Sequence, residues 1–331
     1  MKNREKVINN VLIRIVIGFS WHKVSKFIIR NILFPLVIPP KIRRIIGEDV
    51  PLYFKKYFPE LGPDIIKRKA HEFTKNYKNR FAYDCIILNL NFKRTFSLVD
   101  KDVVIRGRKN LIRALESSGG LLAVSAHFSS IVLGTIAFIG LFRDIFPTKS
   151  KNIWICTEPD VPAFTTLTDK IKVFSQLYKW DISFLLTHGN KIHVALKMTE
   201  SLNSHDLVTT NLDVLRGGSS KKTFGLFGNA SVYLPAIVGT AKVTLRTGAT
   251  ILPWVNTRER DGTLVLRIGE PIGPFPEMDC KIDMRSPVFL SLCERLVSIL
   301  DEWIRESPEQ WMYWDRFGRR VVNRKTQEVT M

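Results

Sequence analysis

The chain has 331 residues, 45% of them hydrophobic, which is enough apolar content for a sizeable core and excludes a disordered or low-complexity polymer. Fifty Lys and Arg against thirty-one Asp and Glu give a formal net charge of +19. That favours an acidic partner, whether anionic lipid, acidic carrier protein or nucleic acid, without choosing among them. The cysteines Cys85, Cys156, Cys280 and Cys293 form no Cys-x2-Cys pair and have no neighbouring His, so free thiols in a reducing compartment are expected, with no zinc site, no other metal and no cofactor.

In chain order, Ile8, Leu12, Ile15 and Phe19 recur at helical spacing, and residues 21–40 mix Lys23, Lys26 and Arg30 with Phe27, Ile28, Ile29, Ile32, Leu33 and Phe34. That pattern suits a helix lying in a membrane surface, or a helix packed on the core. It lacks the small-residue cleavage site of a signal peptide. No stretch reaches the roughly 18 uninterrupted apolar residues of a spanning helix. Pro35, Pro39 and Pro40 end the helical region, and Lys41, Arg43 and Arg44 extend its basic face.

Residues 51–96 read as helical, with a turn at Tyr57-Phe58-Pro59-Glu60-Leu61 before a basic helix through Ile65, Lys69 and Phe73. Residues 103–107 read as a strand, 109–117 as a helix, Gly119-Gly120 as a turn and 121–124 as a buried strand, a unit that builds parallel sheets. Residues 131–142 suit a buried helix, 154–156 a strand, 164–178 and 192–202 helices, and 206–210 another strand. The block Thr209 to Asp213 is a strand ending in an acid. A glycine-containing loop at 224–228 follows, then a helix opening near Gly239 and stopped by Gly248, and a buried strand running to Pro253. Asp261-Gly262 marks a hairpin within 258–268, and 288–305 is an amphipathic helix leading into Pro308-Glu309-Gln310-Trp311-Met312-Tyr313-Trp314. The expected fold is α/β: a mixed, largely parallel sheet flanked by helices over residues 51–320, with an amphipathic region at 1–50 and a polar tail at 321–331.

His127 sits where the 121–124 strand gives way to a helix. In an α/β fold that is the carboxyl edge of the sheet, where ligands bind and a helix N-terminus offers N–H groups to an anion or oxyanion. His127 is therefore the candidate catalytic residue. Ser129 and Ser130 could hydrogen-bond its ring, and Asp213 could line the pocket or cap the next loop. Phe227 and Gly228 lie in a loop whose glycines permit close approach of a substrate, and Arg246 near the Gly248 stop could complement the helix C-terminus. Those residues are the candidate substrate contacts. Trp311 and Trp314 read first as core.

The block from Gly119 to Leu133 resembles the catalytic motif of the bacterial lipid A late acyltransferases (lauroyl and myristoyl acyltransferases), within the glycerolipid or lysophospholipid acyltransferase superfamily. There a Gly-rich turn and an apolar strand precede His-x4-Glu. Here Val132 stands where the acid would be. The stretch Thr209 to Pro253 is similar to the same family's acidic strand end, Phe-Gly loop and Gly-x-Ala helix, with Asn211 replacing the first acid of the pair. Phe58-Pro59-Glu60, Gly269-Glu270-Pro271-Ile272 and the Pro308-Glu309-Gln310 segment before Arg316, Arg319 and Arg320 add weaker matches.

The resemblance implies a glycerolipid acyltransferase-like fold. It also implies His127 as a general base, moving an acyl group from acyl carrier protein or another thioester donor to a lipid or small-molecule acceptor. The implied location is peripheral or monotopic, at an anionic membrane surface on the cytoplasmic face of the bacterial inner membrane. General acid–base help is worth roughly 10²–10⁴ in rate, and an unsupported base loses much of it. Without the motif acid, the acceptor is a better nucleophile such as an amine, or another acid such as Asp213 substitutes from a distance. A non-catalytic lipid-binding relative, and a transferase with a changed donor such as aminoacyl-tRNA, are the alternatives. No nucleic-acid motif supports the latter.

Overall fold

The computed structural model describes residues 22–37, 44–116, 119–145, 152–157, 168, 171–173, 175–176, 181–186, 191–214, 224–226, 229–232, 234–277 and 282–314. The expected helix at 8–19, most of that at 164–178, Cys280, Phe227, Gly228 and the 321–331 tail lie outside them.

Ten α-helices are described: α1 (His22–Ile28), α2 (Phe34–Val37), α3 (Val50–Tyr57), α4 (Pro63–Asn89), α5 (Phe92–Asp102), α6 (Arg108–Glu116), α7 (Ile131–Ile145), α8 (Lys191–Asn203), α9 (Pro235–Thr247) and α10 (Pro287–Glu306). The strands are β1 (Val103–Arg106), β2 (Leu121–Ser125), β3 (Ile153–Thr157), β4 (Ile182–Leu186), β5 (Leu207–Asn211), β6 (Phe224–Leu226), β7 (Asn229–Val232), β8 (Thr250–Arg258) and β9 (Leu264–Ile268). Seven form one sheet in the order β1-β9-β8-β2-β5-β3-β4, and β6 and β7 pair separately. Strands β8, β2, β5, β3 and β4 run parallel to one another and β1 runs parallel to β9, while the β8–β9 hairpin between the two sets is antiparallel. The fold is thus the expected mixed, largely parallel sheet flanked by helices.

The central strand β2 is buried at every position, as its apolar run requires of a strand covered on both faces. Its side chains divide between two cores. Leu122 and Val124 face α9 and α10, whereas Leu121 and Ala123 face α5 and α7. The C-cap Gly248 adopts φ +63, the left-handed conformation that the stop at the end of α9 needs.

Three details depart from the sequence reading. Helix α9 opens at Pro235, four residues before Gly239, because Pro suits a first helical turn. Residues 224–226, read as loop, are strand β6. Strand β4 had no place in the reading at all, since five apolar and hydroxyl residues lack the alternation that marks a strand.

At the N-terminus, α1 continues through a π-helical turn (Ile29–Leu33) into α2. Ser25, Ile29, Leu33 and Phe34 are buried, while Val24, Phe27 and Ile32 are 48%, 57% and 52% exposed. One face packs on the core and another stands in solvent. No described helix is long and apolar enough to cross a membrane.

Candidate active site

The parallel pairing of β2 with β5 sets Ser125 opposite Asn211. Both chains continue past the sheet in step, with the Leu212 N–H donating to the Ser125 carbonyl at 2.8 Å. Two residues beyond each strand end, His127 and Asp213 therefore meet. The His127 ring nitrogen Nδ1 is 2.7 Å from Asp213 Oδ1, and the backbone N–H of His127 donates to Asp213 Oδ2 at 2.8 Å. A sheet register thus brings together two residues 86 positions apart in sequence.

The carboxylate is fully buried, and the imidazole keeps 18% of its surface exposed. Trp311 completes the cage, its indole Nε1–H donating to Asp213 Oδ2 at 2.8 Å. Burial pushes the Asp213 carboxyl up. The charge of His127 and the hydrogen bonds from His127 and Trp311 outweigh it and hold the group below its ordinary value. An ionised Asp213 accepts a hydrogen bond from Nδ1–H, which leaves Nε2 as the basic nitrogen of the ring. Tyr313 packs on the imidazole with ring centroids 4.4 Å apart.

A second device fixes the backbone. The segment after α10, a 3₁₀ turn (Pro308–Gln310) followed by Trp311 to Trp314, lies across the His127 turn. The Met312 N–H donates to the His127 carbonyl at 2.8 Å, the Ser129 N–H donates to the Gln310 carbonyl at 3.1 Å, and Phe128 bridges Trp311. Ser129 is held at φ +43, a left-handed conformation that a non-glycine residue keeps only under such restraint.

Ser130 is the cap of α7. Its hydroxyl donates to Asp84 at 2.7 Å and accepts from the Leu133 N–H at 3.3 Å, and its carbonyl accepts from the Asn256 amide at 2.8 Å. Ser129 is buried beside it. Val132 is half-buried and packs against the α5/α7 core. Arg246 is exposed in the last turn of α9, where its charge complements the helix C-terminus, and it shares no hydrogen bond or ion pair with the dyad among the described residues. Trp314 is fully buried among Tyr53, Phe54, Tyr57 and Phe58, and Trp311 is likewise core apart from its indole N–H. The sequence reading missed Tyr313, Gln310 and Asp84, because nothing in local pattern ties the chain's far end to residue 127.

Among the described residues no group of His, Cys, Asp and Glu could hold a metal ion, and Cys85, Cys156 and Cys293 are free thiols. The chain matches no protein-family model, and no curated protein sequence is significantly similar to it.

Proposed function

We propose that the chain is an acyltransferase of glycerolipid acyltransferase-like fold in which His127 is the general base and Asp213 its orienting acid. The single observation carrying this reading is the 2.7 Å contact between His127 Nδ1 and the fully buried carboxylate of Asp213. It supplies from β5 the carboxylate that Val132 cannot provide, and it leaves Nε2 free to take a proton. The motif resemblance over 119–133 and 209–253 supports the reaction class.

In this mechanism Nε2 removes the proton of an acceptor hydroxyl or amine as that group attacks the carbonyl carbon of an acyl thioester, carried by acyl carrier protein or a similar donor. The tetrahedral oxyanion is stabilised by N–H groups at the start of α7. Ile131 and Val132 precede the first intrahelical bond there, from Gly134 N–H to the Ser130 carbonyl. The imidazolium, held by Asp213, then returns its proton to the departing thiolate. The exposed Val24, Phe27 and Ile32 beside Lys26 and Arg30 support work at an anionic membrane surface.

Transfer from a labelled carrier thioester into extracted membrane lipid tests the reading. His127→Ala should abolish transfer and Asp213→Asn should lower it by roughly 10²–10⁴. Val132→Glu should bring no gain, since Nδ1 already has its carboxylate. Full activity of His127→Ala, or a Val132→Glu chain more active than wild type, would count against the dyad.

A further inference from the structure

On the flank of the molecule formed by α1, its π-helical continuation, α4 and the β8–β9 hairpin lies a cleft of about 1210 Å³ whose lining contains nine Lys and Arg against five Asp and Glu. The acids are largely occupied. Glu309 pairs with Lys69 at 2.7 Å, Glu259 with Arg106 at 2.7 Å and Glu306 with Arg267 at 2.6 Å, while Asp261 accepts from Thr263. Lys26, Arg30, Arg68, Lys75 and Arg258 line the same cleft without an ion pair to a described carboxylate.

The inner wall is crowded. Lys26 Nζ donates to the Tyr83 hydroxyl at 3.0 Å, and the Arg258 guanidinium lies 4.8 Å from the centre of the same ring. Burial, and then the neighbouring Arg258, push the Lys26 ammonium down to about 8 against the pull of Asp102. Arg258 donates through Nη1 to the Gly262 carbonyl at 2.5 Å and lies against the Tyr83 hydroxyl, and Arg267 is held by Glu306 through Nη2, while Arg258 Nη2 and Arg267 Nε are buried with no acceptor. Buried guanidinium N–H groups without acceptors, set beside surplus cations in an open cleft, lack one thing: acceptor oxygens with negative charge.

We propose that this cleft is an anion-binding site for a ligand bearing two or more phosphate-type charges, either a soluble polyphosphate or the phosphates of a membrane headgroup. The site stands independently of acyl transfer. It adjoins the candidate active site through one residue. Gln310 clamps Arg258 from both sides, its Oε1 accepting from the Arg258 N–H at 2.5 Å and its amide donating to the Arg258 carbonyl at 2.7 Å. The carbonyl of the same Gln310 accepts from Ser129. An anion drawing Arg258 therefore bears on the segment that holds the His127 turn.

The test is calorimetric binding of inorganic pyrophosphate to the full chain at fixed ionic strength, alongside vesicles of phosphatidylcholine with and without phosphatidic acid. Pyrophosphate should bind, and Lys26→Gln with Arg30→Gln should weaken it roughly tenfold or more. Binding to phosphatidic acid vesicles alone, with the same sensitivity, assigns the phosphates to a headgroup. Arg68→Gln with Lys75→Gln, which changes exposed residues of α4, should give a comparable loss and serves if the first pair fails to fold. Lys242→Gln with Arg295→Gln, exposed on α9 and α10, should bind as wild type does, and so should His127→Ala, so an inactive dyad leaves the site standing. Absence of binding to both probes, or equal losses from the α9/α10 pair, would overturn the proposal.

Discussion

The pairing of a half-buried imidazole with a fully buried carboxylate makes Asp213 the residue on which both chemistry and local stability turn. It accepts three hydrogen bonds, and an Asn there turns one accepting oxygen into a donor facing N–H groups. Asp213→Asn should therefore cost about 1–3 kcal/mol of stability as well as activity. The pH dependence has a definite sign. The folded pKa of Asp213 lies below its ordinary 3.8, so its contribution is fully present above that value and is lost as pH falls through the folded value. The difference in melting temperature between wild type and Asp213→Asn should shrink as pH falls below about 4. A difference that grows toward acid would mean that the carboxylate is not ionised in the folded chain. Trp311→Phe removes one donor together with the pyrrole ring of a fully buried indole, so its cost combines a lost hydrogen bond with a cavity.

At the scale of elements, the site depends on how β2, α7 and β8 meet. A Cβ built on Gly134 in α7 would come within 2.6 Å of the Asn256 side chain, which reaches past that glycine to bind the Ser130 carbonyl at 2.8 Å. Gly134→Ala should displace Asn256, loosen the cap of α7 and cost about 1–3 kcal/mol despite alanine's better helix propensity. If that cause is right, the double variant with Asn256→Ala should be less destabilised than the sum of the two single changes, as read by chemical denaturation; strict additivity would place the cost elsewhere. The strands and helices themselves were largely legible, because apolar runs, Gly stops and the Asp261-Gly262 turn are local signals. Helix α10 was expected at 288–305 and spans Pro287–Glu306. Strand β4 and the β6–β7 pair were not legible, being short and without alternation.

Legibility fails differently for the molecule as a whole. His127 and Asp213 could each be singled out as lying at a strand end, but their contact rests on which strands are neighbours and in what register, and a register is a property of the folded sheet. The Gln310 and Trp311 contacts are less legible still, since they close the site with the last described residues of the chain. The N-terminal amphipathic segment presents one face to the core and leaves another exposed. Ile29, Leu33 and Phe34 are core, whereas Val24, Phe27 and Ile32 project outward with Lys26 and Arg30 on the cleft beside them. Removing the whole segment would strip the core and confuse a membrane defect with unfolding. Changing Val24, Phe27 and Ile32 to Ser leaves the buried face intact. If that outer face inserts into a bilayer, each lost side chain removes on the order of 1 kcal/mol or more of transfer free energy. Flotation with anionic vesicles should then fall at least about tenfold for the triple variant, while its melting temperature stays near wild type. Undiminished flotation would assign vesicle attachment to the basic cleft alone, and a collapsed melting temperature would show that these side chains belong to the core after all.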